Sequence, residues 1–313
     1  MDNPHWDVDE VHDILRRWRR IGDSYPGGRL FVTEAVVNGP ERLSRYVRPD
    51  EMHTSFNFDY LTAPWEAGAL RHVIDGTLAA LEPVGAPATW VLSSHDETRH
   101  VTRFGRAHTG AAFGGAPLPA SSTDLALGRR RARAAALLTL ALPGSAYVYQ
   151  GEELGLPEVE DLPESTLQDP TWERSGHTVR GRDGCRVPLP WEGDRPPFGF
   201  TADDADPWLP QPADWAASTA AAQRSDPEST LALYRTALRL RRDLAGTGMT
   251  WQNTSRDVLA FDRGASFRCV VNFSTEPLGL SGQGRVLLSS APCTEGLPTD
   301  AAAWLAPGDP GGA

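Results

Sequence analysis

Two carboxylates stand out in this 313-residue sequence because each interrupts an apolar run that reads as a β-strand. Glu34 breaks Leu30-Phe31-Val32-Thr33-Glu34-Ala35-Val36-Val37, and Asp96 follows Thr89-Trp90-Val91-Leu92-Ser93-Ser94 by one residue. Where such strands run parallel with helices between them, their carboxyl ends converge on one face, and the loops there carry the chemistry. Two carboxylates on one cleft suggest glycoside chemistry, and a carboxylate beside an apolar core is where a raised pKa suits general-acid work. His95, next to Asp96, has a ring nitrogen able to bind a sugar hydroxyl. On residue type alone the bland alternative stays open, that the acids cap helices or sit solvated in loops, and Asp59 at an equivalent position reads as structural.

The elements that must position these groups follow from periodicity. The chain opens with a helix whose apolar positions are Val8, Val11, Leu15, Trp18 and Ile21, with Asp7 and Glu10 placed as a capping box. A first strand spans Leu30–Val37, a helix Pro40–Tyr46, and an alternating strand Ser55–Leu61. A helix over Trp65–Leu81 puts Leu70, Val73, Ile74, Thr77, Leu78 and Leu81 on one face, and a third strand covers Thr89–Ser94. A Gly/Pro-rich loop, Arg103–Ser122, leads to a helix at Leu125–Leu142 that stops at Pro143-Gly144, before a fourth strand at Ser145–Gln150. This alternation predicts an α/β fold with a parallel sheet of βα units.

Residues Gly151–Ser225 lack periodicity and read as one long functional loop. A helix then runs to about Leu244, capped by Asp226 with Pro227 in its first turn and a stripe of Leu231, Tyr234 and Leu238. Beyond Gly246 the period becomes two in Val258–Phe261, Phe267–Val271 and Val286–Leu288. The expected division is therefore 1–245 for the α/β part and 246–313 for a small antiparallel β-domain, with Ala306–Ala313 frayed.

Composition narrows the function classes. The net charge of −11 disfavours a nucleic-acid partner, and no stretch is long and apolar enough to span a bilayer, so neither nucleic acid nor membrane is expected. All 30 basic residues are arginine, which reflects coding composition more than function. Cys185, Cys269 and Cys293 form neither a disulfide framework nor a zinc motif. With no signal-like apolar segment at the N-terminus, the expected location is the cytoplasm.

Several motifs together resemble a family. Phe31-Val32-Thr33-Glu34-Ala35 is similar to the general-acid strand of the α-amylase superfamily of glycoside hydrolases, and Val91–Arg99 to its histidine-aspartate strand. Tyr149-Gln150-Gly151-Glu152-Glu153-Leu154-Gly155 and Gly181-Arg182-Asp183-Gly184-Cys185-Arg186-Val187-Pro188-Leu189-Pro190-Trp191 resemble the α-glucosidase and oligo-1,6-glucosidase branch. The resemblance implies a catalytic Glu34 as general acid/base, a catalytic Asp96 that stabilises the oxocarbenium-like transition state, and His95 as a sugar-hydroxyl ligand. It also implies an arginine near the same subsite, either Arg182 or Arg186. The substrate implied is a short α-glucoside, a malto- or isomalto-oligosaccharide, cleaved with retention.

In that family the strands form a (β/α)8 TIM barrel, and the motifs found here correspond to strands five to eight. The resemblance therefore implies the second half of the barrel followed by a small antiparallel β-domain, without the strand that carries the nucleophilic aspartate. A chain of this kind is expected to be inactive alone and prone to self-association through exposed half-barrel edges. The superfamily's metal sites belong largely to the other half, so no metal and no cofactor are expected. Ser94 stands where the family usually has asparagine, a tolerable change. Other readings are a non-catalytic sugar- or partner-binding relative and a transglycosylase such as trehalose synthase. Trp172 and Trp191 could stack on sugar faces, while most of the ten tryptophans are expected in the core.

Overall fold

The computed structural model describes residues 5–111, 122–202 and 205–308. In chain order these form α1 (Val11–Asp23), β1 (Val32–Thr33), α2 (Pro40–Tyr46), β2 (Thr54–Ser55), α3 (Phe58–Thr62) and α4 (Ala67–Leu81). Then come β3 (Thr89–Val91), α5 (His100–Phe104), α6 (Leu125–Ala141) and β4 (Ser145–Tyr147). The long segment that follows holds α7 (Pro170–Arg174) and α8 (Ala220–Arg224), and α9 (Thr230–Arg241) leads to β5 (Met249–Trp251), β6 (Val258–Arg263), β7 (Arg268–Asn272), β8 (Arg285–Ser289) and β9 (Ala301–Ala306). Part of the expected 103–122 loop and the end of the expected frayed tail lie outside the described residues. Ala306 itself belongs to β9.

The parallel pairing is present, as two pairs instead of one continuous arc. β1 pairs with β2 and β3 with β4, both parallel. Between the pairs the hydroxyls of Thr54 and Thr89 hydrogen-bond in the buried interior. The strands are shorter than the apolar runs suggested. Leu30 is 71% exposed and Val32 also faces solvent, so the first run is not a buried strand.

The expected strand at Ser55–Leu61 becomes a two-residue strand followed by α3. The Asn57 side chain accepts the Tyr60 amide at 3.0 Å and donates to the Thr77 hydroxyl at 2.8 Å, a local cap that outcompetes strand continuation. The turn of helix buries Phe58, Tyr60 and Leu61 together, which alternation would have split between two faces. α1 departs as well. Its expected capping box is absent, because the Asp7 carboxylate is taken by Arg42 and the Tyr46 hydroxyl. Leu15 is buried, yet Trp18 and Ile21 lie half exposed.

α6 is the centre of the core. Its Ala/Leu composition lets every face pack closely, and Ala134 through Ala141 are all buried. Gly128 allows α5 to approach, since a Cβ there would sit 2.0 Å from the Val101 carbonyl oxygen. The five-stranded antiparallel sheet, in order β5-β6-β7-β9-β8, lays one face on α6. Leu259, Phe261, Cys269, Val271 and Trp304 join Trp90, Leu137 and Ile74 in one apolar cluster, and the Trp304 indole donates to the Leu137 carbonyl at 3.0 Å. The other sheet face, with Val258, Ala260, Val270, Ala303 and Leu305, is covered by Leu278, Leu280 and Leu297. Burial on both faces explains the unbroken apolar run Ala301-Ala302-Ala303-Trp304-Leu305.

α9 starts later than its sequence suggests. Ser229 is its cap, accepting the Ala232 amide at 3.1 Å, while the Asp226 carboxylate closes the preceding turn on the Glu228 amide. The buried stripe is accordingly Leu233, Tyr234 and Ala237, and Leu238 is exposed.

Candidate active site

Glu34 lies directly after β1 and is exposed toward a cavity of about 150 Å3 at the carboxyl ends of the strands. The cavity wall is mostly apolar and aromatic: Phe56, Phe58, Leu61, Val91, Tyr147 and Tyr149, with Asn57, Ser93, Ser94 and His95 as polar members. Both pairs of parallel strands contribute to it, so the sheet converges on one face as its periodicity implies.

Asp96 sits in the turn after β3, where its amide donates to the Ser94 hydroxyl at 3.1 Å. Arg182 Nη1 donates to Asp96 Oδ1 at 2.8 Å and Arg186 Nη2 donates to the same oxygen at 2.9 Å. The Arg186 Nε also donates to the His95 carbonyl at 2.8 Å. His95 Nε2 stands 3.5 Å from Asp96 Oδ1, with its ring more than half exposed. The structure thus brings four of the five expected residues into one polar group. Glu34 belongs to the adjoining cavity, and His95 is common to both. Both arginines touch Asp96.

Several residues in this arrangement do not announce themselves in the sequence. Asp169, buried, accepts the Arg182 amide at 3.0 Å and the Arg182 Nε at 2.5 Å, and lies 3.8 Å from Arg186 Nη1. Burial alone would raise its carboxyl, but the Arg182 guanidinium and the Thr171 amide outweigh that and hold it well below the usual carboxylate range. Its one sequence signal is Asp169-Pro170, the start of α7. The Asp183 carboxylate in turn accepts the amides of Gln168 and Asp169 at 2.6 and 2.8 Å.

Arg99, fully buried, fastens the next tier. It donates to the carbonyls of Gln150 at 2.7 Å and Cys185 at 2.8 Å, over the face of the Tyr149 ring, whose hydroxyl donates to the Cys185 carbonyl at 2.9 Å. One guanidinium therefore ties the turn after β4 to the segment carrying Arg186. Glu158 accepts the Arg99 amide at 2.9 Å, and burial pushes its carboxyl up to about 7. Glu152, also buried, is pushed up to about 8 by burial, with the Tyr234 hydroxyl donating to it at 3.3 Å. Trp172 is buried and stacks on His177 at 4.8 Å, whereas Trp191 is half exposed.

Glu34 and His95 on an aromatic cavity, beside an Asp96 carboxylate held by two guanidinia, are groups that can bind a polyhydroxylated ring and balance positive charge on it. Among the described residues no group of three His, Cys, Asp or Glu is placed to hold a metal ion, and no helix is long and apolar enough to cross a membrane.

A family model described as "Alpha amylase, catalytic domain" matches residues 2–247, and a model of a domain of unknown function, DUF3459, matches residues 255–304. Maltase A1 of Drosophila melanogaster is 30% identical over 253 residues, covering 76% of this chain and 39% of that protein. A probable alpha-glucosidase of Rhizobium meliloti (strain 1021) is 31% identical over 277 residues, covering 84% of this chain and 45% of that protein. Among solved structures, an alpha-glucosyl transfer enzyme, XgtA, superposes with a TM-score of 0.75 at 28% identity, covering 97% of this chain and 57% of that one. The chain spans less than half the length of these curated relatives.

Proposed function

The chain belongs to the α-amylase catalytic family, and on that premise we propose that it carries the acid and transition-state half of a retaining α-glucosidase site. Glu34 is the general acid/base, Asp96 the carboxylate that stabilises the oxocarbenium-like transition state, and His95, Arg182 and Arg186 bind the sugar beside it. The observation that carries this reading is the double guanidinium grip on Asp96 Oδ1, with His95 shared between Asp96 and the Glu34 cavity. The substrate class is a short α-glucoside, and the α/β part over 1–245 corresponds to strands five to eight of a (β/α)8 barrel, followed by a β-domain over 246–313.

A retaining mechanism needs a nucleophile to form the glycosyl-enzyme, and no motif for one accompanies these residues. The isolated chain is therefore proposed to bind α-glucosides without turning them over, and to self-associate through its exposed edges. The test is hydrolysis of p-nitrophenyl α-glucoside by the purified chain beside Glu34→Gln. No turnover above background is expected from either. Turnover that disappears in Glu34→Gln would show that a nucleophile is supplied and overturn the inactivity, and turnover that survives it would remove Glu34 from the acid role.

A second reading is glucosyl transfer, favoured by the 28% identity to an alpha-glucosyl transfer enzyme over 97% of this chain. Product analysis in the presence of a sugar acceptor separates it from hydrolysis.

A further inference from the structure

Arg182 and Arg186 meet Asp96 on one side and Asp169 on the other. The two acids differ in setting: the Asp96 side chain is 21% exposed, whereas that of Asp169 is 0% exposed and shut off from any ligand. We propose that Asp169 is a positioning residue that fixes both guanidinia so that they bind one oxygen of Asp96 and leave the other toward the sugar. This inference rests on the glycosidase reading for the sugar, but not for the geometry.

The argument begins with what Asp169 would be without that task. As the cap of a five-residue helix it needs one acceptor oxygen, and Oδ1 serves by taking the Thr171 amide at 2.9 Å. Oδ2 is committed elsewhere, to the amide and Nε of Arg182. Clamping an arginine at both its backbone and its Nε fixes χ rotations that are otherwise free. The fork then points Nη1 at Asp96 with no remaining choice of rotamer. Arg186, aimed by its Nε bond to the His95 carbonyl, is drawn toward the same Asp169 oxygen by charge.

A second, independent feature supports a built seat for Asp169. Gly181 has φ +75°, and a Cβ there would stand 2.7 Å from both Cβ and Cγ of Asp169. The glycine thus admits the aspartate side chain as well as the left-handed turn. Below it, the Asp183 carboxylate accepts the backbone amides of Gln168 and Asp169. The cluster holds two cations and two carboxylates facing them, so removing one carboxylate leaves an excess of positive charge on two partly exposed guanidinia, which relieve it by moving apart.

The test compares the full chain with Asp169→Asn and Gly181→Ala, reading the ¹⁵N–¹H signals of the arginine Nε–H groups and calorimetric binding of a cationic iminosugar, 1-deoxynojirimycin. Asp169→Asn keeps the cap oxygen, so the backbone amide spectrum outside 165–190 is expected to stay in place while the Nε–H signals of Arg182 and Arg186 broaden or shift. Iminosugar affinity is expected to fall at least tenfold. Gly181→Ala retains the carboxylate but displaces it, and is expected to move the same two signals, which keeps the test decisive if Asp169→Asn does not fold. Unmoved arginine signals in a folded variant, or unchanged affinity beside moved signals, overturn the proposal. If the arginine signals collapse in Asp169→Asn while the wild-type chain binds no iminosugar, the positioning stands and the glycosidase reading fails.

Discussion

Asp96 depends on what stands behind its partners as much as on the partners themselves. Arg186 bridges the Asp96 carboxylate and the His95 carbonyl, a task that needs two donors at a fixed angle. Arg186→Lys keeps the charge and loses the fork, so iminosugar affinity is expected to fall about tenfold with little change in the thermal midpoint. Calorimetry and a melting curve check this, and an unchanged affinity would contradict it. Glu34, His95 and Asp96 are legible in the sequence because each lies in a motif, Phe31–Ala35 or Val91–Arg99, that resembles a family strand; their position at the ends of apolar runs alone left the bland reading open. Asp169 is not, since it is one acid in an aperiodic segment, and Arg182 reaches Asp96 across 86 positions only once that segment is folded. The motif alone does not separate Arg182 from Arg186, because their spatial partners, Asp96 and Asp169, lie elsewhere in the sequence.

At the scale of elements, local chemistry decided where periodicity was ambiguous. Asn57 turns an alternating run into a short helix, and Ser229 takes the cap that Asp226-Pro227 signals in the sequence. α4, with one apolar face, and α6, an Ala/Leu helix buried all round in its second half, are legible to within a few residues because burial and propensity agree there. Gly128→Ala drives a methyl into the Val101 carbonyl where α5 meets α6, and is expected to cost about 1–3 kcal/mol in denaturant unfolding. A wild-type midpoint would contradict that packing.

Two acids with raised carboxyls, Glu152 and Glu158, set a pH dependence. Glu152 and Glu158 titrate near 8 and 7 when folded, above the 4.5 of the exposed side chain, so the folded state holds extra protons in that window. Their contribution to stability is full below pH 4.5 and is lost as pH rises through 7 and 8. His100, buried against the Ser93 hydroxyl, is lowered by burial to about 3 from 6.5 and acts oppositely below pH 6.5. The chain is therefore expected to lose stability between pH 6.5 and 8, by at most about 1.4 kcal/mol per pH unit for each acid. Glu152→Gln should flatten that slope, and an unchanged slope in thermal melts across this range would contradict the assignment.

Across the whole molecule, the β-sheet and the α/β part share one apolar cluster through α6, so they should unfold together. The other side of the molecule is different. Ile14, Trp18 and Ile21 form a half-exposed stripe on α1, and Leu30 and Val32 flank Phe31, whose ring lies against Gly22 of the same helix. Such a surface favours association, and sedimentation is expected to show concentration-dependent oligomers that Trp18→Glu weakens. A monomer at all concentrations would contradict this. The sequence stripe was recognisable as apolar, but which of its members find a partner in this chain was not, because that depends on what packs against α1. The measurement that tests the central claim most directly is calorimetric titration of 1-deoxynojirimycin into the purified chain and into Asp96→Asn. Saturable one-to-one binding that is lost in Asp96→Asn is the predicted result; no binding, or binding that Asp96→Asn leaves intact, would contradict an α-glucoside site built on Asp96.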